Sequence, residues 1–278
     1  MKREVKIQNP KFEIPVCLTI AGLDPSGGAG IIADIKTFTA FGCFAASAVS
    51  SITFQNTTGV FGATHQTADS VRRQVEPIIE DYTIAALKTG MLPTGEIIEE
   101  TARLIKENDL KNFVVDPVVR STSGFDLITD EALQILIEKL FPLADIVTPN
   151  LPEAERIARM KIETEKDVQK AARILQDFGA KNVLIKGGHA LKGESEKLIA
   201  RDFLFTDDEI KIYEAEFVET NATHGTGCVL AAAIAANLAL GKSLVEAIEA
   251  AKQFVTQAIR TAPQLGRGHS PINLLPMR

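Results

Sequence analysis

The segment Thr223-His224-Gly225-Thr226-Gly227-Cys228 runs directly into an alanine-rich stretch with helical character. Two glycines at a helix start let backbone N–H groups converge on an anion, and the helix dipole adds to the attraction. Gly225, Thr226 and Gly227 therefore read as an anion hole able to hold a phosphoryl group. Cys228 stands at the same helix start, where a thiol's pKa falls below its free value of about 8.5 and an accessible thiolate becomes reactive. A free cysteine is more commonly a small buried hydrophobe. Position, rather than residue type, favours chemistry at Cys228, while Cys17 and Cys43, in apolar strand-like runs, read as core. His224 could be a ligand, a proton carrier or a structural hydrogen-bonding residue, and its role stays open.

Other candidates end apolar runs. Asp116-Pro117 closes one, and Asn150-Leu151-Pro152-Glu153 follows another. Hard oxygen donors of this kind suit Mg²⁺, which keeps several waters and bridges substrate phosphates. Pro152 with Glu153 beside it is equally a good helix start, and taken alone that reading wins. Lys186, before Gly187-Gly188-His189, could offer a point charge to a phosphate oxygen. Met91, in Lys88-Thr89-Gly90-Met91-Leu92-Pro93, is by default core filler. Gln55 could be exposed or read the polar edge of a ring. His65, His189 and His269 are isolated, and no metal-ligand spacing such as H-E-x-x-H occurs.

Gly22-Leu23-Asp24-Pro25-Ser26-Gly27-Gly28-Ala29-Gly30 follows the first apolar run, and Gly28 to Ala33 formally satisfies G-x-G-x-x-G/A. The dinucleotide fingerprint also needs an acid about 20 residues on. No Asp or Glu lies between Asp34 and Asp69, so that reading is rejected. Asp34, one turn into the following helix, could reach back to a ligand in the loop or could be an exposed acid. The one approach to a Walker loop, Gly241-Lys242-Ser243, has Ala236 where the first glycine should stand, and reads as a helix–helix turn.

These residues need a scaffold that gathers them. Short β-branched runs alternate with longer helix-periodic stretches, the pattern of a mostly parallel sheet covered on both faces by helices, a three-layer αβα sandwich. Strands are expected at Val16 to Ala21, Ala45 to Phe54, Ala85 to Lys88, Phe113 to Asp116, Asp145 to Thr148 and Val183 to Lys186. A helix is expected from Gly30 to Phe41. Arg201 to Phe205 and Ile210 to Tyr213 flank an acidic turn and read as an edge β-hairpin, followed by helices at Gly225 to Leu240 and Ser243 to Thr261. The candidate residues then fall in loops at the carboxyl ends of strands, the edge where open α/β sheets bind ligands. No repeat or linker divides the chain, so residues 1–15 are expected to be an N-terminal extension and 16–278 a single domain.

Composition narrows the function. The chain has 278 residues, 30 Lys+Arg against 36 Asp+Glu and a net charge of −6, so it lacks the surplus cations that nucleic acid requires. With 45% hydrophobic and 24% charged residues, it has the material of a globular core. Three cysteines without a C-x-x-C pair imply reduced thiols, and the N-terminus lacks an apolar leader, which together point to the cytoplasm. The longest apolar run, Val229 to Leu240, is interrupted by Asn237 and too short for a bilayer, which needs about 20 residues.

Taken together, AGLDPSGGAGIIADIKTF, TFQNTTGV, KTGMLP, VVDPV, TPNLPEAE, VLIKGGH and THGTGC closely resemble the hydroxymethylpyrimidine/phosphomethylpyrimidine kinases of thiamine biosynthesis, within the ribokinase superfamily. The segments keep the family's order from about Val16 to Gly266-Arg267-Gly268-His269-Ser270-Pro271. The resemblance implies a ribokinase-like fold and transfer of the ATP γ-phosphoryl group to the hydroxymethyl of 4-amino-5-hydroxymethyl-2-methylpyrimidine, commonly with a second transfer onto the monophosphate. It implies that Gln55 hydrogen-bonds the aminopyrimidine edge and Met91 packs on its ring, with Gly22 and Asp34 near the substrate. Cys228 takes the place of the aspartate base of many superfamily members, above the anion hole of Gly225, Thr226 and Gly227. Asn150 and Glu153 would help place Mg²⁺, often through water, with Asp116 behind them and Lys186 and Thr226 toward the nucleotide. Relatives of this kind are often homodimers.

The chain departs from the pattern at Leu23, at Ala222 and at Arg120-Ser121-Thr122-Ser123-Gly124, where Arg120 could replace a missing lysine. Rival readings are a pyridoxal or pyridoxine kinase of the same superfamily, and a non-catalytic pyrimidine-binding or regulatory module. Gln55 next to Asn56 favours the pyrimidine over the first, and the intact Cys228, Glu153, Asn150 and Lys186 speak against the second. A thiol or redox enzyme using Cys228 would lack a resolving cysteine at short spacing.

Overall fold

Apolar runs too short for helices become strands here, and the central ones are buried on both faces because helices cover both. The computed structural model describes residues 13–121, 124–188 and 199–275. Most of the expected N-terminal extension, residues 1–12, and also Thr122, Ser123 and His189 lie outside them. In chain order the elements are β1 (Val16–Leu23), α1 (Gly30–Ala40), β2 (Phe44–Asn56), β3 (Gly59–His65), α2 (Ala68–Asp81), β4 (Ile84–Thr89), α3 (Gly95–Glu107), β5 (Phe113–Val115) and α4 (Asp130–Leu140). There follow β6 (Ile146–Val147), α5 (Leu151–Ala158), α6 (Glu165–Asp177), β7 (Val183–Gly188), β8 (Ile199–Phe205), β9 (Ile210–Glu216), α7 (Thr226–Ala239) and α8 (Leu244–Arg260).

The nine strands form one sheet in the order β3-β2-β1-β4-β5-β6-β7-β8-β9. The six strands from β2 to β7 pair in parallel, and β3, β8 and β9 join antiparallel. Alternate side chains feed two cores. Leu18, Ile20, Phe113, Val115, Val183 and Ile185 pack under α2 to α6, while Cys17, Val114 and Leu184 pack under α1, α7 and α8. This is the expected αβα sandwich. The sequence announced the β8–β9 hairpin but not its counterpart, the β2–β3 hairpin at the opposite edge. β3 escaped because it is nowhere fully buried and carries two glycines, so it lacks a strand's apolar signature.

Helix starts show where the sheet's edge is used. Thr67, Thr94, Thr129, Thr164 and Ser243 cap α2, α3, α4, α6 and α8 with their side chains, and Asn150 caps α5. Helices α1 and α7 begin at Ala29 and Gly225 with no side-chain cap. Unsatisfied N–H groups at a helix start need another partner. Both starts face the carboxyl edge of the parallel strands, on one cavity of about 170 Å³.

Candidate active site

Five parallel strands deliver residues to that cavity: Gly22 from β1, Lys88 from β4, Asp116 just after β5, Asn150 after β6 and Lys186 from β7. The first turn of α7 supplies Gly225, Thr226, Gly227 and Cys228 from above, and β2 contributes Gln55 from the side. Met91, Glu153, Leu23, His224 and Arg120, also singled out from sequence, line it too. Asp34 is the exception, since it does not line the cavity.

The anion hole has its geometry set by Gly225, whose φ of +82° is left-handed. A Cβ there would stand 1.9 Å from the Gly28 carbonyl oxygen, so only glycine lets the α7 start meet the glycine-rich loop. Thr226 turns back on Thr223, its hydroxyl donating to that residue's carbonyl at 3.1 Å. Among the described residues the Gly227 and Cys228 N–H groups have no backbone acceptor. Gly227 lies under a second charge cluster, because a Cβ there would sit 3.3 Å from Lys186 Nζ.

In that cluster Lys186 Nζ donates to Asp116 Oδ1 at 3.0 Å and lies 4.0 Å from Glu153 Oε2. Glu153 and Asn150 form a reciprocal capping box at the start of α5, each side chain accepting from the other's backbone N–H at 2.8 Å. The helix-start reading of Asn150 and Glu153 is therefore real, and it coexists with their place in the cavity. Burial pushes the Glu153 carboxyl up to about 7, with Asp116 adding and Lys186 opposing. No group of three or more His, Cys, Asp or Glu suited to a metal occurs among the described residues. The donor set still fits Mg²⁺ held mainly by water and phosphate, since two buried carboxylates share one lysine. The capping duty of Glu153 favours contact through water.

The expected low-pKa thiol is not what the fold produces. Burial pushes the Cys228 thiol up to about 11; Lys88 pulls it back, Asp116 and Asp34 push further, and the Gly30 N–H offers a compensating bond. The helix start alone would lower it, but Cys228 is only partly exposed on the cavity wall, and desolvation wins. Asp34 is also corrected: fully buried beneath the cavity, it accepts from Lys88 Nζ at 2.8 and 3.1 Å and from the Thr19 hydroxyl at 2.7 Å. It holds a lysine that sequence reasoning passed over.

Asp24 was also missed. Its Oδ1 accepts from the Ser26 N–H and hydroxyl, and its Oδ2 from the Ala29 N–H at 2.9 Å and His224 Nε2 at 2.8 Å. Burial raises this carboxyl, but the bonds from His224 and Ser26 outweigh it and leave it below the ordinary range. His224 thus takes the structural option, tying the glycine-rich loop to the α7 start, and the Gln55 amide lies 3.3 Å from its Nε2. The Asp-Pro-Ser-Gly turn was the available signal for Asp24. Met91 and Gly22 are neighbours: a Cβ on residue 22 would stand 3.0 Å from the Met91 sulfur, and the Ser50 hydroxyl donates to the Met91 carbonyl at 2.6 Å. Arg120 stands at the mouth, paired with Asp126 at 2.8 Å.

Comparison with known proteins gives this geometry a context. A family pattern described as "Phosphomethylpyrimidine kinase" matches residues 24–273. The hydroxymethylpyrimidine/phosphomethylpyrimidine kinase of Staphylococcus aureus (strain MSSA476) is 40% identical over 259 residues, 93% of this chain and 92% of that one. The thiamine biosynthesis bifunctional protein ThiED of Geobacter sulfurreducens is 44% identical over 256 residues, covering 92% of this chain and 51% of its own. Among solved structures, an ADP complex of Bacillus subtilis pyridoxal kinase superposes with a TM-score of 0.85 at 39% identity, covering 94% of this chain and 97% of that one.

Proposed function

The chain belongs to the phosphomethylpyrimidine kinase family, and on that premise we propose how its own residues carry out the reaction. It is a phosphotransferase of thiamine biosynthesis, a hydroxymethylpyrimidine/phosphomethylpyrimidine kinase that uses ATP. The observation that carries the residue assignments is the single cavity in which the free N–H groups of the α7 start face Lys186, Asp116 and Glu153 on one side and Gln55 and Met91 on the other.

Met91 and Gln55 fix the pyrimidine ring so that its hydroxymethyl group points at the Gly225 to Cys228 turn. The hydroxymethyl oxygen forms a bond to the γ-phosphorus, the bond from that phosphorus to the β,γ-bridging oxygen breaks, and ADP leaves with that oxygen. The hydroxyl proton passes to the Cys228 sulfur. The α7 N–H groups stabilise charge on the phosphoryl oxygens in flight, so positioning and electrostatics do most of the work. Lys186 and Thr226 face the nucleotide phosphates. Mg²⁺, when bound, neutralises phosphate charge, and Asn150 and Glu153 would hold it through water with Asp116 behind them. The assembly is a cytoplasmic homodimer, with one kinase domain from residue 16 onward. Among the described residues no helix is long and apolar enough to cross a membrane.

A pyridoxal kinase is the second reading, favoured by the Bacillus subtilis superposition. Incubating the protein with Mg²⁺-ATP and either hydroxymethylpyrimidine, its monophosphate or pyridoxal, while following each product with time, separates the readings. Mono- and diphosphate of the pyrimidine are expected. Phosphorylation of pyridoxal alone overturns the assignment, and pyrimidine binding without ADP release, unchanged by Cys228→Ala, makes a binding module the better account.

A further inference from the structure

Lys88 is fully buried, yet it lines the reaction cavity together with Cys228. Its ammonium carries three N–H groups. Nζ donates to the two Asp34 carboxylate oxygens, at 2.8 and 3.1 Å, and no other hydrogen bond from Nζ occurs among the described residues, which leaves donor capacity unused. Asp34 is locked in turn by the Thr19 hydroxyl at 2.7 Å. Burying such a pair is costly, and an apolar pair of similar volume would often serve stability as well or better. This pair sits where β4 and α1 meet the start of α7, and Gly90 leaves space for the ammonium, since a Cβ there would come within 2.8 Å of Nζ.

We infer that Lys88 is a positioning residue for the phosphoryl transfer: pinned by Asp34, it turns its remaining N–H toward the cavity and steadies Cys228 as a thiolate, the form able to take the substrate's proton. This rests on the kinase reading for its purpose, but the effect on the sulfur exists in the free protein. Lys88 from β4, Asp116 after β5 and Lys186 from β7 line the same cavity as Cys228, and Asp34 from α1 stands behind Lys88; these are the charged groups that act on the sulfur. Lys88 favours the thiolate, and Asp34 and Asp116 oppose it. Asp34 therefore does two things at once: it orients the lysine and offsets part of its charge. Cys228 loses its proton to solvent through the open cavity, then regains one from the substrate hydroxyl as the phosphorus–oxygen bond forms.

The two partners make predictions of opposite sign, which a general loosening of the site would not. The test is the pH dependence of Cys228 alkylation by iodoacetamide in the free protein, read by mass spectrometry so that the buried Cys17 and Cys43 are counted separately. Lys88→Met should move the midpoint to higher pH, slowing alkylation at a fixed pH by about 10-fold or more, because only the thiolate reacts. Asp34→Asn should move it to lower pH. Lys252→Met, which breaks the buried pair with Asp202 on α8 and β8, should leave it unchanged and serves as control. Lys88→Gln replaces the methionine variant should that one fail to fold. Turnover of the pyrimidine at each pH should show the same displacement in kcat for the Lys88 variant, with KM for ATP little changed. Shifts of one sign in both variants, or none in either, overturn the inference even if the kinase is active. Opposite shifts in a protein that releases no ADP would uphold the control of the sulfur and remove only its catalytic purpose.

Discussion

At the scale of single residues, chemistry depends on which protonation state burial permits. With the Cys228 thiol pushed up to about 11, the thiolate fraction rises about tenfold for each pH unit below that value. If proton transfer to Cys228 accompanies phosphoryl transfer, kcat should climb between pH 7 and pH 9. Cys228→Asp, ionised throughout that range, should lose the climb while keeping activity, whereas Cys228→Ala should lose about 10²- to 10⁴-fold, the usual worth of a positioned base. A flat wild-type profile would remove the cysteine from the proton's path. Glu153 gives a second pH dependence, in stability. Its carboxyl is raised to about 7 against an ordinary 4.5, so the protonated form favours the fold. That contribution is complete below pH 4.5 and is lost as pH rises through 7. Glu153→Gln keeps an oxygen to accept from the Asn150 N–H, so melting temperatures of variant and wild type should converge near pH 4.5 and the variant should lead at pH 8. The position of Cys228 was legible because helix starts leave a glycine signature in sequence. Its raised pKa was not, because the walls that desolvate it come from distant parts of the chain. The same distance hid Lys88 and Asp24, whose partners Asp34 and His224 stand 54 and 200 residues away.

At the scale of elements, the α7 start is the joint on which the site turns. Its left-handed Gly225 brings the helix within contact of the Gly28 carbonyl, and the Asp24–His224 bond then fixes the two segments together. Gly225→Ala should strain the backbone by about 1–2 kcal/mol and also force the loop away from a Cβ that has no room. The expected result is a melting temperature lowered by several degrees. Loss of kcat should approach the 10²- to 10³-fold that follows removal of an oxyanion donor. A variant with lowered stability and intact kcat would show that the close approach serves only the fold. The elements themselves were largely readable, since β-branched runs for β1, β4, β5 and β7 alternate with helices whose threonine, serine or asparagine caps are visible in the chain. Where reading failed, the reason was weak burial. β3 has no buried side chain to give it a pattern, whereas even the two-residue β6 falls inside the strand expected at Asp145 to Thr148.

At the scale of the whole molecule, a net charge of −6 would repel anionic substrates, so attraction has to be local, from Lys186, Lys88 and the α7 N–H groups. The other whole-molecule question is the face left uncovered by helices. Ile52 and Phe54, two apart on β2, stand half-exposed, and Phe61 on the edge strand β3 is 68% exposed. Aromatic and aliphatic side chains grouped on a sheet edge are the usual material of a buried interface between protein copies. Strand alternation connects this face to the site, because Thr53 and Gln55, interleaved with Ile52 and Phe54, line the cavity. The Thr53 hydroxyl also donates to the Leu23 carbonyl at 3.0 Å, linking β2 to the glycine-rich loop. A second copy packed on Ile52, Phe54 and Phe61 would therefore brace the strand that carries Gln55. If the proposed homodimer uses this face, Phe54→Glu with Phe61→Lys should convert it to a monomer in sedimentation. The double variant should raise KM for the pyrimidine severalfold while leaving KM for ATP near its wild-type value, because the proposed nucleotide contacts come from β5 to β7 rather than from β2. A wild-type protein that sediments as a monomer at assay concentrations with full activity would refute both the interface and the brace.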